Sequence, residues 1–383
     1  MKRIKVMSVF GTRPEAVKMA PLVKALEANP YMESSVCVTA QHREMLDQVL
    51  DIFGIRPDYD LNIMQDRQTL ADITTRALEG LYDVFGKAAP DIVLVHGDTT
   101  TTFAAALAAY YLKIRVGHVE AGLRTHDKYF PYPEEMNRRL TGAIADLHFA
   151  PTVSNRENLI REGISPEKIY VTGNTVIDAL STTVSDGFVF GDPFLKGFSF
   201  DNKRVIAMTA HRRENIGRPF EEIFAAVRKI ADDFTDVHII YPVHLNPLVG
   251  EPARRILGDH PRIHLIKPVN VQEMHNLMAR SYLVLTDSGG LQEEAPALGK
   301  PVLVLRNETE RPEAVAAGTV RLAGTGYESV YRSVRELLDR EELYTKMARA
   351  VNPYGDGRAS RRIVEALLHG FGITGERPAD FVA

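Results

Sequence analysis

The sequence predicts an α/β protein of two domains, each a parallel sheet covered by helices, facing one another across a central cleft. Three observations carry that expectation. The chain has 383 residues, and at roughly 100–200 residues per domain two domains are the default. Short β-branched runs alternate with longer helical patterns, the signature of βαβ units whose strands run parallel and are buried on both faces. The alternation lapses over 185–201 into Gly, Pro, Ser and Phe and then restarts as a second series. Each half is therefore expected to be Rossmann-like.

In the first series Ile4–Phe10 reads as a strand and Pro14–Leu26 as a helix in which Pro21 is a potential kink. Ser35–Thr39 reads as a strand and His42–Phe53 as a helix. Asp91–Val95, Arg115–Val119, Leu147–Ala150 and Ile169–Val171 are further strands, with a helix over Thr101–Leu112. The hinge is expected near Thr172–Ser181. In the second series the strands are Arg204–Thr209, Val237–Tyr241, Ile263–Ile266, Tyr282–Thr286 and Pro301–Leu305, with helices such as Phe220–Asp233 and Leu291–Leu298 between them.

Composition narrows the classes. Hydrophobic residues make up 45% and charged residues 25%, enough apolar material for two cores and no sign of disorder. A formal net charge of −4 argues against a nucleic-acid partner, which calls for a basic face. The single cysteine, Cys37, excludes an intrachain disulfide and fits a reducing, cytoplasmic setting. The N-terminal run is too short and turns too soon into Gly11-Thr12-Arg13-Pro14-Glu15 for a signal peptide. The longest apolar stretch, Phe103–Leu112, is about half of the roughly 20 residues that cross a membrane.

In open parallel sheets ligands bind beyond the carboxyl ends of the strands, so the polar clusters there are the candidate site. After the first strand, capping-box spacing of Thr12 and Glu15 and a first-turn Pro14 explain themselves as a helix start. Arg13 and Lys18 do not, because cations beside a helix N-terminus are unfavourable without a bound anion. His96-Gly97-Asp98 follows another strand, and Asp98 reads either as a helix cap or as a working carboxylate. Glu120 directly follows an apolar strand and must be satisfied or exposed in a cleft. Glu134 follows Pro131-Tyr132-Pro133, which also fits a plain helix start. Together Asp98, Glu120 and Glu134 bring three carboxylates to one sheet edge, where like charges push pKa values apart and one site can hold both an acid and a base.

The second series carries Thr209-Ala210-His211-Arg212-Arg213, Tyr241-Pro242-Val243-His244 and Thr286-Asp287-Ser288-Gly289-Gly290. A Ser-Gly-Gly turn opening a helix offers backbone N–H groups to a phosphate, or is simply a tight turn. It is neither GxGxxG nor a nucleotide-triphosphate loop, and the scattered histidines have no zinc spacing.

These stretches resemble the non-hydrolysing UDP-N-acetylglucosamine 2-epimerases of bacteria. The resemblance rests on GTRPEAVKMAP, QHREMLDQVL, VHGDTTTT, GHVEAGLRT, PEEMNRR, TGNTVIDAL, TAHRREN, TDSGGLQEEAPALGKPVLVLRNETERPEA and NPYGDG, in order over residues 11–357. It implies a glycosyltransferase-B type fold. An N-terminal Rossmann-like domain, 1–174, would carry the acid/base residues, with the C-terminal helix 358–383 packing back on it, and 175–357 would be the UDP-binding domain. It implies elimination of UDP to 2-acetamidoglucal and re-addition on the opposite face, giving UDP-N-acetylmannosamine, with no cofactor and no metal. Asp98, Glu120 and Glu134 would be the acid/base groups and His211 would stabilise the leaving diphosphate. Arg13, Lys18, Ser288, Gly289, Gly290, Glu294 and Arg311 would hold UDP. A second, activating UDP-N-acetylglucosamine would be lined by Gln41, Arg67, Glu134, Arg212 and His244. A homodimer and a role in envelope polysaccharide synthesis are further implications.

Three rivals stay open on sequence. A glycosyltransferase would use the same UDP grip but has no need of the three acids. A hydrolysing epimerase would release free sugar. A non-catalytic nucleotide-sugar binder would keep Arg13, Ser288 and Glu294 without Asp98, Glu120 and Glu134.

Overall fold

A computed structural model describes residues 3–40, 43–65 and 67–383. The chain divides into two compact units, Met1–Thr182 with Tyr354–Ala383, and Thr183–Pro353.

The first unit holds strands β1 (Ile4–Phe10), β2 (Met32–Val38), β3 (Tyr59–Asp60), β4 (Ile92–His96), β5 (Arg115–Val119), β6 (Leu147–Ala150) and β7 (Ile169–Val171). They form one parallel sheet in the order β3-β2-β1-β4-β5-β6-β7. The near-continuous apolar strands predicted burial on both faces, and all five residues of β4 are buried. Val93 and Val95 pack with Leu81, Phe85, Ala104 and Ala108 of the covering helices. The Thr100–Tyr111 helix is alanine-rich and buried almost all round, so helix and sheet approach closely. The Ala359–Gly370 helix belongs to this unit: the Asp178 carboxylate accepts the backbone N–H groups of Ala359 (3.1 Å) and Ser360 (2.7 Å). The last residues cover the β7 edge, where Phe381 N–H donates to the Val171 carbonyl at 2.7 Å.

The second unit holds β8 (Arg204–Thr209), β9 (Val237–Pro242), β10 (Ile263–Ile266), β11 (Leu283–Thr286), β12 (Val302–Val304) and β13 (Val320–Leu322). Its parallel sheet runs β10-β9-β8-β11-β12-β13. The Arg218–Asp233 helix turns Phe220, Phe224 and Val227 onto Ile206, Ile239 and Tyr241, and Val330, Val334 and Leu337 of the Tyr327–Asp339 helix join the same core.

Both sheets have the Rossmann order, in which the connections turn away in opposite directions from a central pair: β1 and β4 in one unit, β8 and β11 in the other. The crevice at that switch point is where such sheets take ligands. Two short strands, β3 and β13, and the helix Leu70–Ala88 were not anticipated. The Thr175–Thr183 helix occupies most of the stretch expected as the hinge. The helix expected from His42 is described from Arg43, and His42 lies outside the described residues. The Arg13–Glu27 helix runs on through Pro21.

Candidate active site

In the first unit the turns after β1, β4 and β5 meet. Gly11 ends β1 where no side chain fits: a Cβ there would lie 2.0 Å from Thr39 Oγ1 and 2.7 Å from Thr101 Oγ1. Glu15 is buried, and its carboxylate accepts from Gly11 N–H (3.1 Å), Thr12 N–H (2.9 Å) and the hydroxyls of Thr12 (2.7 Å), Thr99 (2.7 Å) and Thr102 (3.2 Å). Glu15 thus does more than cap its own helix, because it ties the turn after β1 to the turn after β4. Burial pushes its pKa up, against those donors.

The turn after β4 depends on Gly97, whose φ of +65° lies in the left-handed region, where glycine is the default residue. Asp98 follows. It is not the helix cap: Thr99 accepts the Thr102 N–H at 3.1 Å and takes that role. The Asp98 carboxylate instead meets the guanidinium of Arg138, which is almost fully buried and also reaches Glu135. The Asp98 backbone carbonyl accepts from Asn137 Nδ2 at 2.9 Å. Burial raises the Asp98 pKa, Arg138 and Lys18 oppose the shift, and the neighbouring Glu120 adds to it.

Glu120 ends β5 with φ of +61°, a conformation that a non-glycine residue holds at a cost and that concentrates at functional positions. One of its oxygens meets Lys18 Nζ at 2.5 Å and Asn174 Nδ2 at 2.8 Å, and the other lies 3.5 Å from His96 Nε2. A Cβ added at Gly97 would come within 3.3 Å of that second oxygen, so the Asp98 turn and Glu120 are in near contact. His96 is buried and its pKa is lowered to about 4, chiefly by burial. It is neutral at pH 7. His118 donates from Nε2 to the Gly97 carbonyl at 2.7 Å and buttresses the same turn from beneath.

Glu134 is the first residue of the Glu134–Ile144 helix and is half-buried. Asn137 and Arg138 lie three and four positions further on, so the helical period places Glu134 on the face that meets Asp98. Glu135, fully buried, accepts the backbone N–H groups of Thr125 (3.0 Å) and His126 (3.2 Å) and is structural. Arg13 lies half-buried in the first helical turn.

In the second unit the corresponding pair of turns, after β8 and β11, also meet. Asp287 is fully buried and one oxygen accepts from His211 N–H (2.8 Å), Arg212 N–H (2.8 Å) and Asn215 Nδ2 (3.2 Å). His211 presents Nδ1 to the other oxygen at 3.4 Å and stacks on His244 at 5.7 Å between ring centroids. Burial lowers the His211 pKa, with Asp287 opposing and His244 and Arg212 assisting. The Ser288-Gly289-Gly290 turn opens the Leu291–Ala297 helix. Ser288 N–H donates to Thr286 Oγ1 at 2.9 Å. Glu294 is not a surface residue: its carboxylate meets His275 Nε2 at 3.1 Å, and His275 Nδ1 meets Thr183 Oγ1 at 2.7 Å. Arg311 is buried against the Glu293 carboxylate.

The sequence-predicted residues therefore fall into two groups. Lys18, Asp98 and Glu120 cluster in the first unit, with Glu134 on the helix that clamps Asp98. His211, Arg212 and His244 cluster in the second, where Ser288 and Gly289 follow Asp287 directly. Arg67 is exposed, with φ of +56°, in the turn before the Leu70–Ala88 helix. Gln41 lies outside the described residues. Lys18 is neither solvated nor set aside for an anion alone, because it neutralises Glu120. Sequence reasoning passed over Asp287, Arg138, Asn174 and His275, whose partners lie far along the chain. Only the position of Asp287 directly after a strand marked it in advance. Among the described residues no group of three or more His, Cys, Asp or Glu is placed to hold a metal, and no helix is long and apolar enough to cross a membrane.

Two Rossmann-ordered units with acids and cations at their switch points define an α/β class that handles anionic, nucleotide-bearing ligands. Residues 24–368 match the family described as UDP-N-acetylglucosamine 2-epimerase. The UDP-N-acetylglucosamine 2-epimerase of Bacillus subtilis is 60% identical over 381 residues, covering 100% of this chain and 99% of its own. The solved structure of the Neisseria meningitidis enzyme bound to UDP-GlcNAc is 50% identical, covers 95% of this chain and 100% of its own, and superposes with a TM-score of 0.85. The Methanocaldococcus jannaschii enzyme in complex with UDP-GlcNAc and UDP is 34% identical, covers 96% and 100%, and gives a TM-score of 0.77. The chain belongs to the UDP-N-acetylglucosamine 2-epimerase family.

Proposed function

We propose that this protein interconverts UDP-N-acetylglucosamine and UDP-N-acetylmannosamine without hydrolysis, by elimination and re-addition of UDP. A carboxylate takes the proton from carbon 2. The carbon 1–oxygen bond breaks with its electron pair going to UDP, and a carbon 1–carbon 2 double bond forms in 2-acetamidoglucal. A second acid then delivers a proton to the opposite face as UDP re-adds at carbon 1. No electrons are gained or lost overall, so no nicotinamide is required.

The observation that carries this reading is the pairing of Asp98 with Arg138 and of Glu120 with Lys18 in adjoining turns at one switch point. Proton transfer at carbon needs positioned groups of both protonation states. Burial and like charge raise the Asp98 pKa, while Lys18 faces Glu120, so the two carboxylates differ in environment. Asp98, Glu120 and Glu134 are the acid/base groups. His211 acts at the diphosphate, where charge develops as the bond breaks. Arg13, Lys18, Ser288, Gly289, Gly290, Glu294 and Arg311 hold UDP, the second unit supplying most of that grip. UDP-N-acetylglucosamine bound a second time, by Gln41, Arg67, Glu134, Arg212 and His244, acts as activator. The working form is a cytoplasmic homodimer that feeds envelope polysaccharide synthesis.

The test is proton NMR of UDP-N-acetylglucosamine with the purified protein in deuterated water. Appearance of UDP-N-acetylmannosamine with deuterium at carbon 2 of both epimers is the expected result. Accumulation of UDP and free N-acetylmannosamine would assign the hydrolysing reaction instead. Binding of UDP with no turnover would point to a transferase and remove the acid/base roles.

A further inference from the structure

Asp287 has two oxygens with different environments. One is saturated, accepting from two backbone N–H groups and the Asn215 amide, and Asn215 in turn donates to the Leu305 carbonyl at 3.1 Å. That oxygen ties the loop after β8 to the loop after β11. The other, Oδ1, is buried and has no hydrogen-bond partner among the described residues. A buried carboxylate oxygen left so is costly unless a cationic partner answers it. The group in front of it is His211 Nδ1, at 3.4 Å. This is longer than a formed hydrogen bond, and such contacts tighten when substrate binds.

We propose that Asp287 is a positioning residue that holds His211 with its proton on Nδ1 and its Nε2 turned away, ready to carry a second proton toward the departing diphosphate. The inference rests on the epimerase reading above. It names the group that orients the leaving-group residue, as a carboxylate orients the histidine of other acid–base pairs. The charged and titratable groups facing His211 are Asp287 from the loop after β11, His244 from the end of β9, and Arg212 from its own loop. The Arg212 cation disfavours the imidazolium, as does any charge on His244, and Asp287 is the anion that opposes them.

Asp287→Asn separates the loop-fixing oxygen from the charge. The amide oxygen can still accept from the His211 and Arg212 N–H groups, which leaves the amide N–H₂ facing Nδ1. His211 must then accept at Nδ1 and carry its proton on Nε2, and its pKa must fall. The experiment is long-range proton–nitrogen NMR of histidine-labelled protein across a pH series, with the His211 signal identified by its loss in His211→Gln. In the wild type the neutral ring is expected as the Nδ1–H form. In Asp287→Asn it is expected as the Nε2–H form with a lower pKa. Turnover should drop on the order of a hundredfold, as when an acid–base group is misarranged, with the alkaline limb of kcat moved to lower pH and KM changed by no more than about threefold. A wild-type ring protonated on Nε2 overturns the proposal even if the variant fails to fold. So does a variant with the altered tautomer and unchanged kcat, an outcome that leaves the epimerase reading intact. Absence of epimerisation by the wild type overturns the epimerase reading together with the leaving-group role, while the NMR still reports whether Asp287 sets the tautomer.

Discussion

At the scale of single residues, the candidate site holds Asp98 against Arg138 and Glu120 against Lys18, with Glu134 on the helix that carries Arg138. Removing charge while keeping shape is the direct test of their roles. Asp98→Asn, Glu120→Gln and Glu134→Gln should each lower turnover by on the order of a hundredfold or more, the contribution of a positioned acid or base. UDP affinity, measured by calorimetry, should change far less, and an equal loss of binding would count against the acid/base assignment. Arg138 gives a second, signed expectation. Its guanidinium opposes the upward shift that burial imposes on Asp98. With Arg138→Met that opposition is gone, Asp98 holds its proton to higher pH, and whichever limb of the kcat–pH profile Asp98 sets should move to higher pH. A profile unchanged in position, only lower, would mean that Arg138 serves geometry alone. Both expectations depend on pairings between distant segments, which is why Asp98 and Glu120 were legible as strand-end acids while Arg138 and Asn174 were not.

At the scale of elements, β5 and β6 bring His118 and His148 into register on adjoining strands. Both are fully buried, and neither ring nitrogen of His148 has a hydrogen-bond partner among the described residues. Burial lowers both pKa values to about 3 from 6.5. The unfolded chain therefore takes up protons first as the pH falls. The stability that these neutral rings contribute is complete above about pH 6.5 and is lost progressively toward pH 3. Each such histidine costs roughly 2 kcal/mol between pH 6.5 and pH 5. His148→Phe removes one titrating ring without stranding a partner, so its urea midpoint should fall less than that of the wild type between pH 7 and pH 5. Equal losses would mean that His148 is hydrated or charged in the folded protein. Both histidines sit in strands whose bounds the sequence marked correctly, because short, largely apolar runs recurring between helical patterns read as buried strands. The two-residue β3 and three-residue β13 are too short to carry a period. The Leu70–Ala88 helix contains Gly80 and Gly86 and paired threonines, weak helix formers on their own. Burial of Ile73, Ala77, Leu81 and Phe85 overrides that weakness.

At the scale of the whole molecule, the activating nucleotide sugar proposed above is also one of the two reactants, and that has a kinetic consequence. Starting from UDP-N-acetylmannosamine alone, the first turnovers would generate the activator, so the progress curve should begin with a lag. A trace of UDP-N-acetylglucosamine should abolish the lag. Linkage requires that each ligand alter the other's affinity by the same factor, in the range of about 5- to 150-fold for ordinary coupling energies. Arg212 is the residue to change. Its backbone N–H is held by Asp287 at 2.8 Å and its Nε by the Asp287 carbonyl at 3.3 Å, so its side chain leaves the loop beside His211 in a defined direction. With Arg212→Ala the response to added UDP-N-acetylglucosamine should vanish. Because Arg212 adjoins His211, the decisive quantity is the ratio of rates with and without activator rather than either rate alone. A variant that is slower but still accelerated by the same factor would remove Arg212 from the activating site. Wild-type progress curves with no lag and no acceleration would remove the second site altogether and leave the epimerase chemistry to the residues already placed.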